Sequence, residues 1–211
     1  MATRFTVTYF MKSKDQSLSM LQRYLKFCSQ HGVTLKTLKT DNDSVFVEDK
    51  FVDFCKSKGI NPIQSGPYMH ESNGVAERYW QTILDMASTQ LKTAGLGLRY
   101  WAMAFSHSCY LRNRLPHSAL SFDTPYHRFF KAKPDLSALR MFGCPAYVYI
   151  DHTLRSKLED RAKAGLYVGQ SVSSNTSKVF LPDSGKLIKS GMVECKAVSY
   201  THLRAHETRI H

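Results

Sequence analysis

The chain has 211 residues, of which 43% are apolar, so it can bury one substantial core and is not a disordered protein. It carries 29 Lys and Arg residues against 17 Asp and Glu residues, and its formal net charge of +12 suits a polyanionic partner such as nucleic acid. No apolar run reaches the length of a membrane span and no signal peptide opens the sequence, so we expect no membrane partner.

The first two predicted elements are a strand and an amphipathic helix. Residues 4–11 alternate Thr with Phe, Val and Tyr, a pattern that is typical of a strand. Residues 15–30 place four apolar side chains at helical spacing, namely Leu18, Leu21, Leu25 and Cys28. This spacing predicts a helix whose apolar stripe is ordinary core.

The next segment contains two carboxylates in positions that suggest a site. An apolar-rich run over residues 33–38 predicts a strand that ends at Asp41, and open α/β sheets bind their ligands at that end of a strand. A helix and a short strand are predicted over residues 47–63. Glu77 lies near the start of a long helix, which is predicted over residues 73–94 from one apolar stripe: Val75, Tyr79, Ile83, Ala87, Leu91 and Ala94. This order of elements predicts that Asp41 and Glu77 lie at one edge of the sheet.

The remainder changes from helices to short strands. We predict a helix over residues 100–112 and a second, short one that ends at Phe130, with Thr124 near its N-cap and Pro125 at its first position. Four β runs then indicate a small β module: residues 146–150, 165–169, 178–181 and 186–189. Its basic residues either follow a phosphate backbone or form solvated surface: Arg155, Lys157, Arg161, Lys163, Lys178, Lys186 and Lys189.

The residues around the two acids carry a family resemblance. Lys39-Thr40-Asp41-Asn42 and Asn73-Gly74-Val75-Ala76-Glu77-Arg78 stand so that thirty-five residues separate Asp41 from Glu77. With this spacing the chain resembles the integrase core of copia-type retrotransposons. Further matches extend the resemblance over residues 4–169: Trp101-Ala102-Met103-Ala104, Asn113-Arg114-Leu115-Pro116, Thr124-Pro125-Tyr126 and Leu139-Arg140-Met141-Phe142-Gly143-Cys144.

The resemblance implies an α/β fold: a ribonuclease-H-like integrase core, a mixed sheet flanked by helices, over residues 1–135, followed by an SH3-like β module over residues 136–192. The implied activity is DNA integration by metal-dependent polynucleotidyl transfer, with 3′-processing and strand transfer of element DNA. Asp41 and Glu77 are then both catalytic residues and ligands of Mg²⁺ or Mn²⁺, which carboxylate oxygens bind well.

The same resemblance implies which molecules the protein meets. Lys39, Asn73, Arg78 and Gln81 are the expected nucleic-acid contacts, and element ends and target DNA are the expected partners. We also expect the parent protein to self-associate. Its expected location is the nucleus, or the cytoplasm within a virus-like particle.

One expectation concerns activity. In the family pattern the first catalytic Asp would fall one position before Met1, so we expect this chain to be a truncated fragment and inactive as given. Asp43 also replaces a Gly of the family pattern. Glu71, Asp43 and Asp85 could make up the number of carboxylates, but we do not expect them at the position of the missing Asp. The alternative is a non-enzymatic nucleic-acid-binding relic on a ribonuclease-H-like fold.

The cysteines and the C-terminal residues predict no further site. The five cysteines are dispersed and odd in number, which favours reduced thiols over a disulfide framework or a zinc site. Residues 198–211 resemble one reading frame of a sequencing adapter, so we expect a non-native tail that packs against nothing.

Overall fold

The computed structural model describes residues 3–41, 43–64, 74–156, 158, 160–171 and 176–196. Its helices are Ser17–Gln30 (α1), Ser44–Val47 (α2), Asp49–Ser57 (α3), Gly74–Thr93 (α4), Trp101–Arg112 (α5) and Pro125–Phe130 (α6). Its strands are Thr37–Thr40 (β1), Asn61–Gln64 (β2), Pro145–Tyr149 (β3), Ala162–Gln170 (β4), Ser177–Leu181 (β5), Lys186–Ser190 (β6) and Val193–Cys195 (β7). The predicted tail and Asn73 lie outside the described residues.

The N-terminal half is built on a parallel pair of strands. β1 pairs with β2 from Thr37 opposite Asn61 to Thr40 opposite Gln64, and helices α2 and α3 form the crossover that a parallel pair requires. The helix α3 ends before Gly59, whose φ of +68° favours glycine. One small apolar core joins α1, α3 and the start of β2: Leu21, Phe51, Cys55 and Ile60.

The prediction of a strand over residues 4–11 is wrong. The segment is in no strand of the structure, and side chains of α5 and its C-cap hold the backbone of Thr6 instead. Thr6 N–H donates to Asn113 Oδ1 at 3.0 Å, and Thr6 O accepts from Asn113 Nδ2 at 2.7 Å and from Cys109 Sγ at 3.5 Å. An alternating sequence forms a strand only where a neighbouring backbone edge is within reach, and here the amide of Asn113 takes that role.

The main core lies between α4, α5 and the β module. Three α4 residues at helical spacing, Ile83, Ala87 and Leu91, pack against Phe105 of α5 and Val168 of β4 in one buried cluster. The predicted long helix is therefore confirmed in its place, and its apolar stripe is buried from Ile83 to Leu91, whereas Val75 at its start is 49% exposed. No helix within the described ranges has the length and apolar character that a bilayer crossing requires.

The C-terminal part is a five-stranded antiparallel sheet in the order β6-β5-β4-β3-β7. Its own core consists of Cys144, Ala146, Val148, Tyr167, Val179 and Leu181. Because Val168 of β4 belongs to the helical core while the adjacent Tyr167 belongs to the sheet core, β4 joins the two parts of the molecule. The division at residues 135 and 136 remains a prediction.

A buried polar network lies between α4, α5 and β4. His107 Nδ1 is 2.8 Å from Gln90 Oε1, and Gln90 Nε2 donates to Ser108 Oγ at 2.8 Å. Because that amide nitrogen is the donor to Ser108, its oxygen accepts from His107, and the proton of the neutral imidazole lies on Nδ1. His107 Nε2 is buried, and no described residue offers it a hydrogen-bond partner. Burial and, to a smaller extent, Lys178 lower the His107 pKa to about 4.

This network predicts an acid-sensitive fold. The His107 pKa falls from 6.5 in the unfolded chain to about 4 in the folded one, so the unfolded state binds the extra proton between these values. We expect the free energy of unfolding to decrease by roughly 3 kcal/mol as the pH falls from 7 to 4 on account of this residue. Urea unfolding of the wild type, His107→Gln and the exposed control His152→Gln at both pH values measures it. An equal pH dependence in all three proteins contradicts the prediction.

Candidate metal and nucleic-acid site

Asp41 directly follows the C-terminal end of β1 and lies at the protein surface. Its side chain is exposed and lines an open cavity of about 350 Å³ with Ser17 and Leu21 of α1, Lys39 and Thr40 of β1, and Phe46 and Phe51. The chain leaves the strand here because Asp43 caps α2, accepting a hydrogen bond from Val45 N–H at 3.5 Å. Asp41 is therefore fixed at the end of a strand and open to solvent.

Asp43 is not a spare metal ligand. Its carboxylate forms an ion pair with Lys14, and this contact is the main reason that the Asp43 pKa is lowered. Its φ is −64°, so the turn does not require the glycine that the family pattern has at this position. The replacement leaves the turn intact and adds a cap to α2.

Glu77 lies in the first turn of α4, where a negative charge interacts favourably with the helix dipole. Its side chain is exposed. Asp85 lies two turns further along, about 12 Å along the helix axis at 1.5 Å per residue. Asp85 Oδ1 accepts a hydrogen bond from Gln81 Nε2 at 3.0 Å. The separation of about 12 Å along the helix is too great for Asp85 and Glu77 to bind the same ion.

A larger groove runs beside the two acids. Its volume is about 870 Å³, and its walls are residues 4–9, the first turns of α4, Phe105 and Arg112 of α5, and the loop at His117. Lys39 lines both this groove and the cavity that contains Asp41. Ala76 and Arg78, on either side of Glu77, line the groove as well. The cavity of Asp41 therefore shares Lys39 with the groove, and Glu77 lies in the chain between two residues that line the groove.

Four charged side chains, all of them cationic, line the described part of the groove together with His117: Arg4, Lys39, Arg78 and Arg112. Burial, Arg112 and Arg4 lower the pKa of His117, in that order of size, so these cations lie close enough to interact. Of the predicted nucleic-acid contacts among the described residues, Lys39 and Arg78 line the groove and Gln81 does not, and their role remains a prediction. The sequence did not single out Arg4, Arg112 or His117. No local pattern marks them, because they come from segments about a hundred residues apart.

Aromatic side chains form the apolar part of the groove. Trp80 is 54% exposed, and its ring centroid lies 4.7 Å from that of Phe105. Phe5, Tyr9 and Tyr79 line the groove as well. The groove therefore combines an open aromatic surface with cationic side chains.

The fit of the chain to a metal ion is limited by the number of its carboxylates. Asp41 and Glu77 supply the hard oxygen ligands that Mg²⁺ prefers, and one or two carboxylates are a common ligand set for a hydrated Mg²⁺. Within the described ranges no three His, Cys, Asp or Glu side chains cluster to hold a metal. The residues present fit one hydrated ion rather than two. The assignment of Asp41 and Glu77 as ligands remains a prediction.

Comparisons with known proteins decide the family. Residues 144–197 match the family model of the retroviral polymerase SH3-like domain. The chain is 30% identical over 190 residues to the retrovirus-related Pol polyprotein from transposon TNT 1-94 of Nicotiana tabacum, covering 90% of this chain and 14% of that protein. It is 32% identical over 193 residues to the corresponding polyprotein from transposon RE2 of Arabidopsis thaliana, covering 91% of this chain and 13% of that protein. The chain belongs to the retrovirus-related Pol polyproteins of transposons.

The comparisons confirm the predicted family, and the predicted fold class is confirmed as an α/β core followed by an SH3-like module. The assignment of the core to an integrase remains a proposal. This Pol polyprotein segment spans about one seventh of the length of the plant relatives. A solved structure with a similar chain is the HTLV-2 integrase catalytic core domain in complex with magnesium, in a trimeric form. The similarity is 22% in sequence identity with a TM-score of 0.42, over 55% of this chain and 71% of that chain.

Proposed function

We propose that this Pol polyprotein segment is the part of a retrotransposon integrase that binds DNA beside the catalytic acids. The observation that carries the proposal is one groove lined by five basic side chains, of which Lys39 lies two residues from Asp41 in the chain and Arg78 directly follows Glu77. In the longer protein the activity would be polynucleotidyl transfer on element ends and target DNA, within a virus-like particle and then the nucleus.

The groove has the two properties that nucleic-acid binding requires. Arg4, Arg78 and Arg112 offer guanidinium groups to phosphates, and their neutralisation of the DNA charge releases counterions. Trp80 presents an exposed ring on which an unpaired base can stack, as at the frayed end of a duplex. Together they favour a DNA end over an uninterrupted duplex.

Asp41 and Glu77 are the residues that would hold Mg²⁺ or Mn²⁺ in this segment. Bound there, such an ion would polarise a phosphoryl oxygen and offset its charge. Lys39 lies between the cavity of Asp41 and the groove, so its ammonium group can orient the same phosphate by charge. Arg78 follows Glu77 directly and holds the DNA backbone beside that acid.

The number of carboxylates limits what the chain itself can do. Phosphoryl transfer with two ions needs ligands for both, and the described residues offer Asp41 and Glu77, while Asp43 and Asp85 are engaged elsewhere. We therefore propose binding without chemistry for the chain of residues 1–211. The alternative function, a nucleic-acid-binding relic, predicts the same behaviour for this chain and differs only in the longer protein.

The first test is salt-dependent DNA binding. We expect the double variant Arg78→Ala and Arg112→Ala to weaken binding and to lower the slope of log K against log salt by about 2, because two phosphate contacts are lost. The matched control removes two exposed lysines of α3, Lys50→Ala and Lys56→Ala. Fluorescence anisotropy with a labelled frayed-end duplex measures both. An equal loss in the control assigns binding to net charge rather than to the groove.

The second test is chemistry. With Mg²⁺ or Mn²⁺, the purified chain is expected to join no processed DNA end to a target, and Glu77→Gln should bind DNA as well as the wild type. Joined product that disappears in Glu77→Gln would show that two carboxylates are enough. A fusion protein separates the integrase from the relic. In it, the upstream residues of a related element, including its first catalytic acid and the strand that carries it, are joined to the N-terminus of this chain. Activity of that fusion supports the integrase.

A further inference from the structure

Two cysteines that are fifty-one residues apart in sequence meet in the β module. Cys195 is the last residue of β7 and lies opposite Ala146 of β3, and Lys196 N–H donates to Pro145 O at 3.0 Å. Cys144 precedes β3 by one residue and faces the same side as Ala146, because side chains alternate along an extended chain. Cys195 packs against the buried cluster that contains Cys144, and both cysteines are free thiols in the structure.

The two thiols differ in their access to solvent. Cys144 is 3% exposed and packs in the core of the sheet with Ala146 and Val148. Cys195 is partly exposed and lines an open cavity of about 440 Å³ together with Arg140, Tyr149, Gly191, Met192, Val193 and Glu194. A small solute can therefore reach Cys195 through this cavity, whereas Cys144 is reached only from Cys195.

The pKa values of the two thiols decide which of them ionises first. Burial, followed by the neighbouring Cys195, raises the pKa of Cys144 to about 12, so this thiol keeps its proton. Burial also raises the pKa of Cys195, but the hydrogen bond from Cys144 and the charge of Arg140 oppose the increase. Cys195 is thus the thiol that ionises first, and the thiolate is the reactive form.

We propose that Cys195 and Cys144 are an oxidation-sensitive dithiol, which a hydroperoxide converts into a disulfide through attack on Cys195. Two geometric observations support this: Cys195 packs against the cluster that contains Cys144, and Cys195 is open to a cavity whereas Cys144 is enclosed. The proposal does not depend on the proposed function.

The reaction balances in two steps. The Cys195 thiolate attacks one oxygen of hydrogen peroxide, the O–O bond breaks, and sulfenic acid and hydroxide form. The Cys144 sulfur then attacks the Cys195 sulfur, the S–O bond breaks, and the hydroxyl group leaves as water with the Cys144 proton. Both sulfurs are oxidised, the peroxide is reduced, and the other product is a second water once the hydroxide takes up the proton first lost by Cys195.

The disulfide would fasten an edge of the sheet. β7 has three residues and lies at the end of the strand order, where β3 is its one partner within the part of the chain that the structure describes. Cys144 and Cys195 also lie at the two ends of the segment that matches the SH3-like domain, residues 144–197. Oxidation would close that segment into a covalent loop and hold β7 on β3.

The test uses the full chain under graded hydrogen peroxide, with mass spectrometry of non-reduced peptides. We expect a Cys144–Cys195 linked peptide that lacks two hydrogen atoms and is restored by dithiothreitol. We expect slower hydrogen exchange of β7 amides in the oxidised protein. In Cys144→Ser, Cys195 should accumulate as a sulfenic acid that dimedone traps, whereas Cys55→Ser, a buried control, should leave the link unchanged.

The wild-type measurement keeps the proposal falsifiable even if a variant fails to fold. A complete peptide map in which Cys195 is oxidised no faster than buried Cys28 or Cys55 overturns it. So does sulfinic acid at Cys195 with Cys144 still a thiol, because the enclosed partner would then have failed to resolve the first oxidation product.

Discussion

Gly143→Ala is expected to lower the free energy of unfolding by about 2–5 kcal/mol, because it combines a backbone cost of roughly 1–2 kcal/mol with overpacking of roughly 1–3 kcal/mol. Gly143 has a φ of +78°, which side-chain-bearing residues rarely adopt. An added Cβ would lie 2.5 Å from Ala94 Cβ and 3.2 Å from Leu96 Cδ1, at the end of α4. Gly143 N–H also donates to Tyr167 O at 2.8 Å, which fixes the turn in place.

Two other glycines separate the causes in the same urea titration. Gly95 has a φ of +63° with nothing within 4 Å of an added Cβ, so Gly95→Ala measures the backbone cost alone. Gly191 has open space and no positive φ, so Gly191→Ala should change stability by less than about 0.5 kcal/mol. Equal losses for Gly143→Ala and Gly95→Ala would show that Ala94 and Leu96 yield without cost.

Ile83→Ala is expected to cost about 2–5 kcal/mol, the range for removing a buried aliphatic side chain and leaving a cavity. Ile83 is 0% exposed and packs in the cluster that α4 shares with Phe105 of α5 and Val168 of β4. The matched control is the next residue, Leu84→Ala, because Leu84 is 40% exposed and leaves no enclosed cavity. We expect the control to cost under about 1 kcal/mol.

The Ile83 variant also tests whether the two halves of the main core unfold together. Trp80 and Trp101 report on the helices by fluorescence, whereas far-ultraviolet circular dichroism includes the β sheet. Since Val168 is in the same cluster as Ile83, both signals should shift to the same lower urea midpoint. Separate midpoints would show that the β module is stable without its contact to α4.

The sequence predicted those helices and strands whose formation depends on a local pattern of residues. The stripe through Ile83, Ala87 and Leu91 predicted α4, and Pro125 after Thr124 predicted the start of α6. The strand over residues 4–11 failed because alternation describes half-buried extended chain and does not supply a partner strand. The three-residue β7 carries too few positions to show a period, and its pairing with β3 depends on distant residues.

The two acids of the candidate site could be predicted from the sequence, whereas most of the basic residues that line the groove could not. Asp41 and Glu77 were found from the spacing that the family shares, and their joint role in metal binding is still to be tested. The basic residues Arg4, Arg112 and His117 carry no signal in sequence, because a groove between four segments depends on tertiary packing. The same reason hid the contact between Cys144 and Cys195, which the sequence presents as dispersed.

The side-chain amide of Asn113 determines how residues 4–11 are aligned against α5. Asn113 is 4% exposed, and one amide plane can serve the N–H and the C=O of one residue only, here Thr6. Sliding the segment by one position would turn Phe5 away from Phe129, whose ring centroid is 4.5 Å from its own. Aspartate could not replace the asparagine, because it has no donor for the Thr6 carbonyl. A single side chain therefore selects one alignment of this segment and rejects the slipped ones.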